Sequence, residues 1–209
     1  HVLVRRIIDT VKGHGGIMAI DGLLEAIAND TVSEKKALAA LLPSVPGIKI
    51  GKETAKRKMV VTADGFSTAE WEKLVSTVVG LLQEASDVQS LEDLYALYVK
   101  KSESSDLAKE SFESLLAPSA EIEKNAFGRY GLSHWSAVRP RGTRERAHLI
   151  LQVMKKPLHF REIARLIDEH GLYKSGKKTH PQTVHNELIK DKRFVLVGRG
   201  TYALSDWGF

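Results

Sequence analysis

The sequence predicts an α+β fold, mainly α with small β-hairpins, arranged as three tandem domains at residues 1–67, 68–138 and 139–209. Each third of the chain has two or three helical segments followed by a short strand–turn–strand. The pattern recurs about every 70 residues, which is longer than a solenoid repeat and typical of small domains in tandem. The last two thirds also share an ending, because Tyr130–Trp135 and Tyr202–Trp207 both read Tyr-small-Leu-Ser-x-Trp.

The first domain is predicted to contain three helices and a hairpin. Its amphipathic first helix ends at the glycines around His14, and its third helix is capped by Ser33 and stopped by Pro43. The predicted helices cover Val2–Val11, Asp21–Ala28 and Glu34–Leu42, and the predicted strands cover Ile48–Ile50 and Met59–Thr62. The tip between the strands, Gly51–Lys58, is rich in lysine and is expected to be flexible.

The middle domain repeats this plan less closely. Thr68 is predicted to cap its first helix, Ser90 caps the second with Asp93 in the place of the usual Glu, and Pro118 ends the third. The predicted helices cover Ala69–Ala85, Leu91–Lys101 and Ser105–Leu116, and the predicted strands cover Ala120–Asn125 and Tyr130–Ser133.

The last domain has the clearest pattern. Gly171 stands where a helix C-cap glycine is expected, Thr179 and Gln182 form a T-x-x-Q capping box, and the turn of the hairpin is Gly198–Gly200. The predicted helices cover Thr143–Met154, Phe160–His170 and Pro181–Lys190, and the predicted strands cover Arg193–Val197 and Thr201–Ser205. Three helices followed by a hairpin is the order of a winged helix-turn-helix domain, so three such domains in tandem are expected.

Charge is distributed unevenly along the chain. The net charge is +5, with +3 over residues 1–68, −6 over residues 69–138 and +8 over residues 139–209. Basic ends favour a polyanion, because Lys and Arg gain free energy by displacing counterions from phosphates. The acidic middle argues against one continuous track along a duplex and favours a protein partner or a spacer. Uneven surface charge on a protein without a polyanionic partner is the alternative.

Several classes of protein and site are excluded or disfavoured. The chain has no cysteine, which removes disulfides, thiolate catalysis, zinc fingers and iron–sulfur sites. No signal peptide or membrane span is expected, and we expect a cytoplasmic, bacterial nucleoid-associated protein. The histidine spacing matches no metal motif, Gly13–Gly16 is no phosphate loop, and the carboxylates form no nuclease pattern. No cofactor, metal or enzymatic activity is therefore expected. Because the chain begins with His1 rather than Met, it is expected to be a fragment.

Two separated motifs in the last third carry a family resemblance. Lys156–Ile163 reads Lys-Pro-Leu-His-Phe-Arg-Glu-Ile, and Asp191–Phe194 is followed by Gly200–Trp207, Gly-Thr-Tyr-Ala-Leu-Ser-Asp-Trp. Over about residues 142–209 these motifs resemble the HARE-type winged helix-turn-helix domain. That domain occurs in the delta subunit of bacterial RNA polymerase, in Asx-like chromatin proteins and in some restriction endonucleases.

A second resemblance points to transcription. Tyr130–Arg146 and Thr183–Leu188 are similar to C-terminal parts of bacterial sigma-factor-like proteins, which join a promoter-binding sigma region to a HARE domain. This chain has no such sigma region. The two resemblances imply contact with nucleic acid or with the transcription machinery, and they imply no defined activity.

The candidate binding surface follows from winged-helix geometry, in which the third helix enters the major groove and the wing contacts the backbone or minor groove. Gln182, Asn186 and Lys190 form the outward stripe of the third helix, and Gln and Asn side chains can each pair with adenine. The predicted DNA-contacting residues of the last third are Arg139, Arg141, Arg144, Lys174, Lys177, Lys178, Thr179, Gln182, Thr183, Asn186, Lys190, Lys192, Arg193 and Arg199. Those of the first third are Lys35, Lys36, Lys52, Lys56, Arg57 and Lys58. An ordinary solvated polar surface is the alternative in both places.

The function predicted from these observations is non-catalytic binding of double-stranded DNA in transcription, beside RNA polymerase, as a sigma-like or delta-like regulator. Residues 69–138 are expected to face RNA polymerase or another transcription protein, and no membrane partner is expected. One alternative is an adaptor that docks on proteins of a chromosome-organising or transcription complex without contacting DNA. A further alternative is the specificity part of a DNA-cutting enzyme, which requires a nuclease segment before His1.

Overall fold

A computed structural model describes residues 2–29, 31–103, 106–174 and 176–209. The chain divides into two compact units, which we call the first unit (His1–Glu123 with Tyr130–Ser133) and the second unit (Lys124–Arg129 with His134–Phe209). The first two predicted domains fall mainly within the first unit. The boundary at residues 67/68 therefore stays a prediction, as does the count of three domains.

The first unit begins with a three-stranded antiparallel sheet packed on three helices. Its elements are α1 (Val2–Gly13), β1 (Ile17–Ala19), α2 (Ile20–Ile27), α3 (Val32–Leu41), β2 (Ile48–Gly51) and β3 (Val60–Ala63), with strand order β1-β3-β2. A turn of 3₁₀ helix at Leu42–Ser44 follows α3. The core contains Ile7, Val11, Leu23, Leu42 and Val61, which are at most 1% exposed. The predicted helices and hairpin are present, with ends that differ by one to three residues.

The rest of the first unit follows a similar order. It contains α4 (Thr68–Ala85), α5 (Leu91–Ser102), α6 (Lys109–Leu116), β4 (Ile122–Lys124) and β5 (Tyr130–Leu132), with β4 paired to β5. An isolated antiparallel bridge joins Gln89, between α4 and α5, to Tyr130. The sequence predicts the third helix from Ser105, but α6 begins at Lys109, and Ser105 itself lies outside the described residues.

The helix starts show which capping predictions are right. Ser90 accepts a hydrogen bond from the Asp93 N–H at 3.1 Å, as predicted. Thr31 rather than Ser33 caps α3, accepting from Glu34, and Ser67 rather than Thr68 caps α4. In both wrong cases a hydroxyl one or two residues upstream has the extended backbone that an N-cap needs, while the predicted residue is already helical.

The second unit has the element order of a winged helix-turn-helix domain. It contains α7 (Gly142–Met154), β6 (Leu158–His159), α8 (Phe160–Glu169), α9 (Pro181–Leu188), β7 (Phe194–Gly198) and β8 (Thr201–Leu204), with strand order β6-β8-β7. A 3₁₀ turn at Ser205–Trp207 follows β8. Its core contains Ile150, Leu151, Ile163, Val184 and Tyr202, which are at most 1% exposed.

Gly171 ends the second helix of this unit as predicted. It adopts a left-handed φ of +65°, and the Leu172 N–H donates to the Ile167 carbonyl at 3.0 Å. The predicted capping box of the third helix is wrong, because His180 is the N-cap of α9 and makes no side-chain capping bond.

Membrane spans and metal sites were searched over the described ranges. None of the helices there has the length and the apolar character needed to cross a membrane. No three His, Asp or Glu side chains in those ranges come together as a metal site would require.

Candidate nucleic-acid interface

The outer face of α9 carries polar side chains exposed to solvent. Val184 and Leu188 point inward and are 0% and 1% exposed, so the opposite side of this short helix faces away from the core. Gln182, Thr183 and Asn186 are exposed there, and Lys190 is exposed just after the helix end. The Gln182 Nε2 donates to the Asn186 Oδ1 at 3.1 Å, which aligns the two amides. The Asn186 amide N–H groups and the Gln182 carbonyl oxygen remain free to pair with base edges.

A carboxylate of α8 fixes the start of α9. The Thr179 hydroxyl donates to the Asp168 Oδ1 at 2.6 Å, and the Thr179 N–H lies 3.0 and 3.1 Å from the two Asp168 oxygens. Thr179 is half-buried, and its hydroxyl is used in this contact. Its role in the structure is to tie the preceding loop to α8. Thr179 as a DNA contact stays a prediction.

The loop before α9 supplies the strongest positive charge of this surface. Lys174, Lys177 and Lys178 are all exposed, and the Lys177 N–H donates to the Lys174 carbonyl at 3.0 Å. Within the described residues, none of these three ammonium groups has a carboxylate within salt-bridge distance. The loop therefore presents three solvated charges beside the helix N-terminus, whose dipole also favours an anion.

Other predicted cations already have acidic partners. The Arg144 Nε lies 2.8 Å from the Glu187 Oε2, and the Lys190 Nζ lies 4.0 Å from the Glu187 Oε1. The Arg193 Nη2 lies 2.8 Å from the Asp191 Oδ2, and this guanidinium lowers the pKa of the Asp191 carboxyl to about 2. These pairs reduce the positive charge that is available to phosphate.

The wing adds Lys192 and Arg199, which are exposed. Neither has a carboxylate partner in the part of the chain that the structure describes. Together with the lysines of the loop, they leave five unpaired cations around the exposed face of α9. We call this surface, formed by residues 174–178, the outer face of α9 and the β7–β8 wing, the candidate interface.

The arginines before α7 lie at a helix start. Arg139 is exposed, and its N–H donates to the Trp135 carbonyl at 2.9 Å. Arg141 is the N-cap of α7, and its N–H donates to a carboxylate oxygen of Glu145. Contact of these two arginines with phosphate stays a prediction, because neither lies on α9, the loop or the wing.

The cations of the first unit are less available than predicted. Lys35 is half-buried and pairs with Glu25 at 2.7 Å, whereas Lys36 and Lys52 are exposed. The Arg57 Nη2 donates to the Lys52 carbonyl, and the Lys58 Nζ donates to the Ala117 carbonyl at 2.9 Å.

The backbone of this hairpin tip is also bonded to the middle of the chain. The Lys58 N–H donates to the Pro118 carbonyl, and the Ala120 N–H donates to the Lys56 carbonyl, each at 3.0 Å. The expectation of a flexible tip is wrong, because the backbone of the tip is paired outside the hairpin. Contact of its side chains with DNA stays a prediction.

An aromatic cluster that the sequence did not reveal holds α9 against the wing. The Tyr202 hydroxyl of β8 is hydrogen-bonded to the His185 Nδ1 of α9 at 2.8 Å. The ring of Phe160 lies 4.8 Å from that of His185 and 4.4 Å from that of His159. The only sequence signal was the clustering of His and aromatic residues in this third, which gives no pairing.

Comparison with known families supports the winged-helix geometry. Residues 142–207 match the family model HARE-HTH, a helix-turn-helix domain whose description names ASXL and restriction endonuclease. The matched segment is therefore a winged helix-turn-helix domain of the HARE type, as its two motifs indicated, and it covers about a third of the 209-residue chain. A search of curated proteins found no match to the chain.

Proposed function

We propose that this protein binds duplex DNA without catalysing a reaction, through the candidate interface of its second unit. The observation that carries the proposal is the exposed outer face of α9 beside five unpaired cations. HARE-HTH is a DNA-binding winged-helix family, which supports nucleic-acid binding by this segment. In the proposed complex, α9 enters the major groove and the loop and wing contact the flanking backbone.

The chemistry of the surface divides between affinity and specificity. Lysine and arginine contacts to phosphate supply most of the affinity and carry no base information. Asn186 and Gln182 supply the specificity, because an amide can donate to and accept from the same adenine edge. The hydrogen bond between the two amides limits their rotation before binding, which lowers the entropy lost on contact with a base.

The biological setting we propose is transcription, with the protein acting beside RNA polymerase as a sigma-like or delta-like regulator. Its support is the resemblance of the last third to domains of such proteins. The acidic middle of the chain, residues 69–138, would then face a protein of this machinery rather than DNA. Glu110 on α6 and Asp106 before it are exposed and repel phosphate.

An adaptor that docks on protein is the second candidate, and one observation favours it. The basic tip of the first unit is bonded to Ala117–Ala120 instead of projecting freely, so this unit presents fewer phosphate ligands than a DNA-binding wing usually does. In this case the first unit serves as a rigid scaffold, and duplex binding by the second unit is absent or negligible.

A salt titration of duplex binding separates the two functions. Fluorescence anisotropy of a labelled mixed-sequence duplex is measured with the full chain at increasing NaCl. A DNA-binding protein shows a log–log slope of about −4.5 if the five unpaired cations each displace about 0.9 counterions. Absence of binding at low salt, with the protein folded by circular dichroism, would exclude the proposed function and favour the adaptor.

A further inference from the structure

The wing of the second unit exposes two consecutive apolar side chains. Leu196 and Val197 on β7 are 50% and 37% exposed, although both belong to a strand of the sheet. β7 is the edge strand in the order β6-β8-β7, so this apolar pair is at the border of the domain. Exposed apolar side chains on an edge strand favour unwanted pairing, and their presence asks for a functional explanation.

Strand register places this pair on the side of α9. Leu196 is directly opposite Tyr202, and directly opposed residues project from the same face of a sheet. Because Tyr202 is bonded to His185 of α9, Leu196 projects toward the α9 side of the sheet. The ladder then shifts register between Leu196 and Gly198, which leaves Val197 as the extra residue of a bulge. A bulge redirects side chains, and here it allows two neighbouring residues to be exposed together.

The wing is held rigidly where it turns back. Gly200 has a φ of +66°, and the Phe160 N–H donates to its carbonyl at 2.9 Å. A Cβ at this position would lie 2.6 Å from the His159 Nε2 and 2.9 Å from a Phe160 ring carbon. Only glycine fits this close approach, so the turn is fixed on the start of α8. The apolar pair is thus presented on a preorganised support, which reduces the entropy cost of inserting it into a partner.

The charges around the pair select a polyanionic partner. Residues 189–200 contain Lys190, Lys192, Arg193 and Arg199 against a single carboxylate, that of Asp191. Arg199 follows the pair at the tip and has no acidic partner among the described residues. A purely hydrophobic protein interface would bury these charges at a cost, whereas DNA offers phosphates beside the apolar faces of its bases.

We propose that Leu196 and Val197 insert as an apolar wedge into the minor groove and open a base step, while Arg199 lies along the groove. This inference rests on the proposed duplex binding and assigns a mode of contact to the wing. Inserted apolar side chains unstack a step and kink the duplex away from the protein, and flexible pyrimidine–purine steps yield most readily. The wing therefore reads deformability, whereas α9 reads base edges.

Two signals from one duplex test the wedge. The probe is a duplex of about 30 base pairs with a TpA step in each turn, 2-aminopurine in place of one step adenine, and a donor–acceptor pair on its ends. Wild-type protein is expected to raise 2-aminopurine fluorescence and to bring the duplex ends closer. The Leu196→Ser/Val197→Ser variant is expected to lose both signals while binding about tenfold more weakly at most.

Ile189→Ser is the matched control, because Ile189 is an apolar side chain of the same unit, 62% exposed, that lies outside the wing. It is expected to keep both signals. Wild-type binding without unstacking or bending overturns the wedge and leaves the proposed function intact, whereas no duplex binding at low salt overturns the proposed function itself. Retention of both signals by the double variant also overturns the wedge. So does a wild-type dimer that the double variant converts to monomer in sedimentation, because the pair then joins two copies of the chain.

Discussion

The Lys177→Gln/Lys178→Gln variant is expected to bind every duplex more weakly and with less salt dependence. The candidate interface has five exposed cations without a carboxylate partner among the described residues: Lys174, Lys177, Lys178, Lys192 and Arg199. At about 0.9 counterions each, they give a log–log slope of about −4.5, and removal of two brings it to about −2.7. Between about 50 and 200 mM salt, wild-type affinity then falls about 500-fold and that of the variant about 40-fold.

The assay is fluorescence anisotropy over this salt range, with one specific and one unrelated duplex. Lys155→Gln/Lys156→Gln is the matched control, since it removes two adjacent exposed lysines of the same unit that lie outside the candidate interface. Contacts made by the first unit add equally to all three slopes, so the difference of about 1.8 remains interpretable. Equal slopes for the two double variants would refute the assignment of the loop to phosphate.

Three more outcomes are expected from single substitutions. Asn186→Ala should reduce discrimination between duplexes by about 1–3 kcal/mol in a selection from random sequences, with no change in salt slope. Thr179→Val should lower the free energy of unfolding by about 1 kcal/mol in urea titrations and weaken duplex binding, and Thr179→Ser should restore both, because only a hydroxyl can donate to Asp168. The pKa of Asp191 is lowered to about 2 from the usual 3.8, so its pair with Arg193 stabilises the fold above about pH 4 and is lost as the pH falls toward 2. Asp191→Asn should remove about 1 kcal/mol at neutral pH, after allowance for solvent screening, and unfolding at low pH should no longer distinguish it from wild type.

Helices were predictable from the sequence because their signal is local. Apolar residues at helical spacing predicted the inward edge of α9 from Val184 and Leu188, and both are buried. The first strands of the sheets were missed, because β1 has three residues and β6 has two. Such short strands are defined by pairing with a distant strand, as Leu158 pairs with Tyr202, rather than by an alternating pattern of their own.

Exposure of the candidate interface was predictable, but its charge state was not. The side of α9 opposite the buried edge follows from the helical period, and Gln182 and Asn186 are exposed there as expected. The pairing of Arg144 with Glu187 joins residues 43 positions apart, so it depends on how α7 packs against α9. The basic tip of the first unit likewise looked free in sequence, while its backbone bonds lie about sixty residues away at Pro118 and Ala120.

The salt slope also measures whether those carboxylates release their cations on DNA. The loop, α9 and wing contain two further cations, Lys190 and Arg193, and a count from sequence alone predicts a slope of about −6.3. The Lys190 pair with Glu187 is long, at 4.0 Å, and the lysine is 62% exposed, so phosphate can replace it at little cost. Arg193 contacts Asp191 through both Nε and Nη2, and the Asp191 side chain is only 11% exposed, so this pair is expected to persist. Release of Lys190 alone brings the slope to about −5.4, and a value near −6.3 would contradict the persistence of the Arg193–Asp191 pair in the complex.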